Sequence, residues 1–199
     1  MKKSLFFVLI SFTLMLTACG SGTQTSGSTT FNHGIAAFIN DHYTFYDVIS
    51  SQDNTSDLSE IYIAEDQTID QVVVELKGYQ EPTNISEKHD MKQVLVYDDL
   101  FVIVTEDEND TNNSAIEVAS QGFVRDNYQP TFFNGLFAVW MLNNLLGSDN
   151  WVNKRQNECQ YREDCYGGYY SSGGYYKNSD NTRSIRSSTV RGGGPGSGK

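Results

Sequence analysis

The first hydrophobic pattern along the chain has the spacing of a helix. Between Gly34 and Ile49 the apolar positions fall on one face, His42 lies on that face, and polar residues fall opposite. We therefore predict an amphipathic helix over 34–49 with His42 as a core histidine. A cluster of Asn, Asp and Ser over 50–59 predicts a loop, and alternation over 60–64 predicts a strand.

A second helix is predicted to begin after Thr68. The order Thr68-Ile69-Asp70-Gln71 matches a capping box, in which the Thr and Gln side chains satisfy free backbone donors. Apolar residues then recur at helical spacing from Ile69 to Leu76. The competing interpretation is a strand over the Val72-Val73-Val74 run, and the capping box favours the helix. Gly78 is predicted to close the helix in the left-handed conformation.

Three further strands follow. Residues 93–97 and 100–105 are apolar runs separated by Asp98-Asp99, which indicates a β-hairpin. A polar turn over 106–113 leads to a strand over 114–119. This order predicts an α+β fold with a small antiparallel sheet of three to four strands and helices on one face.

The segment from Asn127 to Ser148 contains no charged residue. Its apolar positions surround the helical wheel, so a helix over 130–147 is predicted to be buried in protein or lipid. Two interpretations stay open, a core helix packed on the sheet and an interfacial or partner-binding helix. Pro130 and three asparagines argue against a full membrane span.

The first thirty residues predict an export signal and a tether. Lys2 and Lys3 precede an apolar run over 5–18, which is shorter than the ~20 residues of a spanning helix. The run ends in Leu16-Thr17-Ala18-Cys19-Gly20, which resembles the lipobox of bacterial lipoproteins. That resemblance implies cleavage of a signal peptide, 1–18, and palmitate-type lipid on Cys19, whose two acyl chains anchor firmly. Residues 19–30 then form the anchor and a flexible Gly/Ser/Thr tether.

Charge divides the remainder into two parts. From Cys19 to Asn153 there are 21 acidic and four basic residues, whereas from Lys154 to Lys199 there are eight basic and four acidic ones. We predict an acidic domain over 31–150 and a basic low-complexity tail over 151–199, whose Gly, Tyr and Ser content predicts disorder. The acidic body argues against a nucleic-acid partner. The tail is predicted to contact anionic lipid, anionic wall polymer or the acidic body.

Two cysteines remain after Cys19. In an exported protein the spacing of Cys159 and Cys165 indicates a small disulfide loop, with free thiols as the alternative. A metal site is disfavoured because the histidines lie far away in sequence.

Few residues indicate chemistry. The acidic stretch from Glu106 to Asp110 lacks the spaced ligands and central Gly of a calcium loop, so we predict a solvated turn. No Ser/His/Asp or Cys/His set is discernible. We therefore predict no catalytic, cofactor or metal residues and no enzymatic activity.

Several motifs resemble one known family. They are Leu95-Val96-Tyr97-Asp98-Asp99, Ile116-Glu117-Val118, Val124-Arg125-Asp126-Asn127-Tyr128 and Arg191-Gly192-Gly193-Gly194. On these the chain is similar to uncharacterised small lipoproteins of Gram-positive, bacillus-type organisms, which carry a domain of unknown function. The resemblance implies no assigned activity and no functional residue. It implies an accessory role in the envelope or in membrane stress.

The sequence thus predicts a lipid-anchored envelope protein on the outer face of the cell membrane. We expect a non-enzymatic binding or membrane-stress accessory module, whose partners are membrane lipid through Cys19 and an envelope protein or anionic wall polymer. The alternative is an extracytoplasmic ligand-binding or hydrolytic domain that uses its acidic face. A concave pocket with converging carboxylates favours that alternative, and a flat acidic surface does not.

Overall fold

An antiparallel sheet forms the centre of the fold, and helices cover both of its faces. The computed structural model describes residues 31–51, 54–161, 165–172 and 182–184. The predicted signal peptide, the Cys19 anchor and the tether lie outside these ranges, as do residues 173–181 and 185–199 of the predicted tail.

Six strands form the sheet, in the spatial order β3-β4-β5-β6-β2-β1, and every neighbouring pair is antiparallel. A seventh strand of three residues, β7, pairs with the outer edge of β1. The strands are β1 Thr44–Ser51, β2 Leu58–Ala64, β3 Asn84–Ile85, β4 Lys92–Tyr97, β5 Leu100–Glu106, β6 Ser114–Ser120 and β7 Thr182–Ser184.

Five α-helices accompany the strands. Two short 3-10 turns, Pro130–Phe133 and Tyr170–Ser172, complete the description. The α-helices are α1 Gly34–His42, α2 Ile69–Tyr79, α3 Gln121–Asn127, α4 Val139–Leu145 and α5 Trp151–Tyr161.

The sheet has two buried faces, and each belongs to its own hydrophobic core. Along β2, for example, Ile61 and Ile63 enter one core while Tyr62 and Ala64 enter the other, as strand alternation requires. We call the face that carries Ile61 and Ile63 the first face and the face that carries Tyr62 and Ala64 the second. The helices α1 and α2 cover the second face. The first face is covered by α3, the Pro130–Phe133 turn, α4, α5 and residues 166–170. The prediction of helices on one face only is therefore wrong.

The predicted helix over 34–49 is also wrong in its second half. Helix α1 ends at His42, and the chain continues directly as strand β1. Residues 43–49 are mostly aromatic or β-branched, which favours a strand. Their apolar positions fit both the 3.6-residue period of a helix and the two-residue period of a strand. His42 is exposed rather than buried in a core. Its Nδ1 lies 2.8 Å from the Phe38 carbonyl oxygen, and its ring stacks on Phe38.

The predicted capping box at Thr68 is confirmed. The Gln71 amide donates to the Thr68 hydroxyl, and the Thr68 amide donates to the Gln71 side chain. The predicted left-handed cap at Gly78 is wrong because the helix continues through Gly78 to Tyr79 and ends in extended backbone at Gln80. Extended backbone there leads into Pro82, before which helical conformation is disfavoured.

The predicted hairpin and the strands over 60–64 and 114–119 are confirmed. At the hairpin turn Asp98 has a positive φ of 45°, a conformation that Asp tolerates better than most residues. The sheet is larger than the predicted three to four strands. Strand β1 was hidden by its helical spacing, and β3 has only two residues, too few for a pattern.

The uncharged segment after Asn127 is not one helix. It forms the Pro130–Phe133 turn, then a break at Gly135 with a φ of 76°, and then the seven-residue helix α4. Phe133 and Leu142 are buried in the first core, whereas Trp140 is 72 % exposed. The segment is thus mainly core, with an exposed stretch at the start of α4, in the middle of the segment. Among the described residues, no helix has the length and apolarity needed to cross a membrane.

Candidate binding cavity

A cavity of about 270 Å³ lies on the first face of the sheet. Its floor consists of sheet residues, including Ile61, Ala115 and Glu117. One wall is the end of the hairpin, where β4 begins and β5 ends. The other wall is Phe132 together with residues 167–171. We call residues 165–172 the C-terminal strap, because they cross this face and cover part of the cavity.

Glu117 is the central polar residue of the floor. It lies in the middle of β6, next to β2, and is only 4 % exposed. Its Oε1 accepts hydrogen bonds from the Ser59 hydroxyl at 2.7 Å and from the Tyr166 hydroxyl at 3.0 Å. Burial raises the pKa of the Glu117 carboxyl, and the hydrogen bonds it accepts lower the pKa to a smaller extent. The protonated, neutral form of this carboxyl therefore persists to a higher pH than in an exposed Glu.

Tyrosines surround this carboxyl. Burial raises the pKa of Tyr166 and Tyr128 well above the ordinary value, and the nearby Glu117 raises both further. Tyr128 interacts with Glu117 electrostatically, but its hydroxyl forms no hydrogen bond of standard geometry within the described chain. Tyr169 donates to the Asp47 carboxylate at 2.9 Å, which ties the strap to β1. These phenols therefore stay protonated at physiological pH and act as donors.

The strap is held in place from three directions. The amide of Tyr166 donates to the Asn127 carbonyl, and the amide of Gln129 donates to the Tyr166 carbonyl. The guanidinium of Arg155, itself buried, donates to the carbonyls of Asn127 and Tyr128. Cys165 at the start of the strap forms a disulfide with Cys159 of α5. The disulfide is thus part of the structure that carries one cavity wall.

A glycine allows the strap to pack closely against Phe132 within the same wall. Gly168 has a φ of 96°, and a Cβ at this position would lie 2.7 Å from Cε2 of Phe132. Any other residue would be strained in its backbone and would displace the Phe132 ring. The Lys92 ammonium lies 4.6 Å from the centre of the Phe132 ring, within the range of a cation–π interaction.

The mouth of the cavity carries three carboxylates, those of Asp90, Glu106 and Glu108, beside the single ammonium of Lys92. Asp90 lies 3.2 Å from the exposed ring of His89. Within the described residues, Glu106, Glu108 and Lys92 form no ion pair. The mouth is therefore acidic and has charges available to a ligand.

One buried hydroxyl in the lining also lacks a hydrogen bond. Tyr170 is 9 % exposed, and its hydroxyl has no partner of standard geometry in the described part of the chain. Burial and the nearby Asp107 carboxylate raise the pKa of Tyr170, so it remains a donor. The hydroxyl thus lies near Asp107 and Asn109 without a hydrogen bond of standard geometry, and a ligand acceptor in the cavity would provide one.

A second, more open depression lies beside the C-terminus of α1. It has a volume of about 220 Å³ and includes Tyr43, Glu65 and Glu75. The Tyr43 hydroxyl donates to Glu75 at 3.0 Å, and burial raises the pKa of Tyr43. Gln67 Oε1, in the same lining, is buried without a hydrogen-bond partner among the described residues. The depression is nevertheless smaller and more open than the cavity on the first face, which is the better candidate.

The cavity differs from what the sequence predicts for these residues. The predicted solvated turn over 106–110 places Glu106 and Glu108 at the mouth, while Asp107 is buried. The predicted disordered tail supplies the strap, whose Tyr166 is completely buried. A signal was present for Glu117, because it is a carboxylate in the middle of an apolar strand. Its hydrogen-bond partners Ser59 and Tyr166 are brought to it only by folding.

No group of three or more His, Cys, Asp or Glu side chains in the described residues is arranged to hold a metal ion. The carboxylates at the mouth thus do not form a metal site there. Their number, together with the partly apolar lining, suits an organic ligand better than an ion.

These features define a class: an α+β domain in which an antiparallel sheet lies between two helical layers and carries a polar cavity on one face. The family model described as a domain of unknown function, DUF4247, matches residues 15–195, and the chain belongs to this family. No curated protein and no solved structure matches it. The matched residues include Cys19, the cavity and the strap.

Proposed function

We propose that this chain is a non-enzymatic binding module of the cell envelope, anchored by lipid on Cys19, and that the cavity over Glu117 binds a small ligand. The observation that carries the ligand-binding part of the proposal is the concave cavity, whose lining includes the carboxylates of Asp90, Glu106 and Glu108. From the sequence, a concave pocket is the arrangement expected of the alternative, an extracytoplasmic ligand-binding domain, and a flat acidic surface is not. Ligand sites are usually concave, partly apolar and equipped with a few convergent polar groups.

The size of the cavity limits the ligand. Its volume of about 270 Å³ is close to the lower end of the range for ligand sites, roughly 300 to 1,000 Å³. A small metabolite or the end of a longer chain fits this volume. The lining is adapted for retention of a ligand, since Phe132 and Ile61 offer apolar contact and the mouth offers charge.

The buried polar groups support binding rather than catalysis. Glu117 is engaged by Ser59 and Tyr166, and Tyr169 is engaged by Asp47. These hydrogen bonds shape the floor and hold the strap. In this proposal they are structural supports of a binding site, as the sequence-based expectation of a non-enzymatic module requires.

The anchor is proposed from the sequence. The segment Leu16-Thr17-Ala18-Cys19-Gly20 resembles a lipobox, and residues 20–30 have the composition of a flexible tether. Phe31 already packs on the core under α1, so the tether leads directly into the domain. We place the domain at the outer face of the membrane of a Gram-positive bacterium. An envelope protein or anionic wall polymer is the proposed partner of the basic C-terminal residues.

Binding is tested with the purified chain from Gly20 to Lys199 against a chemically mixed set of small molecules. We expect some compounds to raise the melting temperature of the wild type and to lose this effect in Ala115→Leu, which fills the floor. Thr105→Phe fills the cavity from β5 and replaces the first variant if that one fails to fold. The proposal is wrong if no compound stabilises the wild type, or if both folded variants respond as the wild type does.

The anchor is tested in cells by fractionation and by mass spectrometry of the mature N-terminus. We expect lipid on Cys19, and we expect Cys19→Ala to move the protein out of the membrane fraction. Ser21→Ala, in the tether, is the matched control and should stay in the membrane. An unmodified Cys19, or membrane retention of Cys19→Ala, would show that the anchor is not lipid at this position.

A further inference from the structure

We propose that the ligand of the cavity is a small organic cation with one or two ammonium groups on a short apolar body. This inference rests on the proposed binding function and adds the chemical class of the ligand. Diamines and basic amino acids share this chemistry, and the experiment below separates them.

The charges at the mouth give the first argument. Glu117 lies on the floor and is hydrogen-bonded to Ser59 and Tyr166, while the mouth carries Asp90, Glu106 and Glu108 against Lys92 as the lining's one cation. Glu106 and Glu108 have no ion-pair partner within the described residues, whereas Asp90 faces His89. Two unpaired carboxylates beside a concave site attract a ligand of positive charge and give it charge-assisted hydrogen bonds.

The aromatic wall gives the second argument. The Lys92 ammonium lies over the Phe132 ring at 4.6 Å and occupies that face, so the ring offers the ligand apolar contact rather than a second cation–π site. Phe132 is buried and lines the cavity together with Ile61. The apolar part of a diamine or basic amino acid can contact Ile61 and the Phe132 ring edge while its ammonium group reaches the mouth.

The buried hydroxyl of Tyr170 gives the third argument and separates the two ligands. This hydroxyl interacts with Asp107 and Asn109 but forms no hydrogen bond of standard geometry in the described residues, and Lys92 has no carboxylate within ion-pair distance among them. A ligand carboxylate would give Lys92 an ion pair and would give the Tyr170 hydroxyl an acceptor of standard geometry. A basic amino acid offers its ammonium groups to Glu106 and Glu108 and its carboxylate to these two donors. A diamine has no carboxylate and can interact only with Glu106 and Glu108.

The experiment is isothermal titration calorimetry at low salt, in which 1,4-diaminobutane, lysine, glutamate and glucose are titrated into the wild type. We expect the diamine and lysine to bind, lysine more tightly, and we expect affinity to fall as salt is raised. The double variant Glu106→Gln/Glu108→Gln should weaken both by about tenfold or more, the usual effect of losing a charged hydrogen bond. The control Asp41→Asn/Asp149→Asn neutralises two exposed carboxylates outside the cavity and should bind as the wild type does.

Lys92→Met tests the role of the cation. It should weaken lysine and leave the diamine equal or tighter, because it removes both the carboxylate partner and a repulsive charge. Binding of glutamate or glucose in preference to the cations would overturn the ligand class and leave the binding function intact. If none of the four compounds and none of the wider set binds the folded wild type, the proposed function itself fails. Equal affinities of wild type and the Glu106/Glu108 variant would also overturn the class.

Discussion

Replacing Glu117 by Gln should change how the stability of the domain depends on pH. The amide has nearly the same shape as the protonated acid, keeps an oxygen for the hydroxyls of Ser59 and Tyr166, and cannot ionise. In the wild type the carboxyl is buried, and desolvation raises its pKa above the ordinary value of 4.5. The variant therefore isolates the contribution of one proton.

The sign of the effect follows from proton binding. Between pH 4.5 and the raised pKa, the folded wild type holds a proton that the unfolded chain has released. Its free energy of unfolding is highest below pH 4.5 and falls as the pH rises through this window. For one proton the slope reaches about 1.4 kcal/mol per pH unit. Glu117→Gln lacks this slope, so it should gain stability relative to the wild type as the pH rises.

Urea denaturation at several pH values between 4 and 8 measures this difference directly. The difference in unfolding free energy between variant and wild type should change by about 1 kcal/mol or more per pH unit inside the window and level off above it. Asp41→Asn, at an exposed site on α1, is the control and should follow the wild type at all pH values. A difference between Glu117→Gln and wild type that is independent of pH would refute the reasoning, because Glu117 would then titrate alike in both states.

Three further changes test the helix start, the strap and the broken apolar segment. Thr68→Ala removes the capping box of α2 and should lower the free energy of unfolding, measured by urea denaturation, by about 1 kcal/mol. A variant as stable as the wild type would contradict the cap. Cys159→Ser/Cys165→Ser removes a short disulfide loop and should lower the free energy of unfolding by about 2 kcal/mol. Measured with and without reductant, the stability of the wild type alone should change. Trp151→Ala should cost about 3 to 5 kcal/mol because the ring is buried and Nε1 donates to the Arg125 carbonyl, whereas Trp140→Ala, at an exposed position, should stay within about 0.5 kcal/mol. Equal losses of unfolding free energy for the two Trp variants would contradict the burial of Trp151 in α5 and the exposure of Trp140 in α4.

The errors of the sequence-based predictions have physical causes. Residues 43–49 fit both helical and strand periods, and only pairing of β1 with β2 decides in favour of the strand. The strap has the composition of a disordered tail, yet its tyrosines are buried, because Glu117 and Asp47 accept from the hydroxyls of Tyr166 and Tyr169, and the Asn127 carbonyl accepts from the Tyr166 amide. Local composition cannot report such distant partners.

The sequence by itself determined the elements whose signals are local. The capping box at Thr68, the hairpin over 93–105 and the alternation of β2 and β6 follow from neighbouring residues, because caps, turns and strand periodicity act over a few positions. The tertiary structure alone decided the number of strands, the second helical layer and the cavity. Its floor at Glu117, its mouth at Glu106 and its wall at residues 167–171 are far apart in sequence and meet only when the sheet and the strap have assembled.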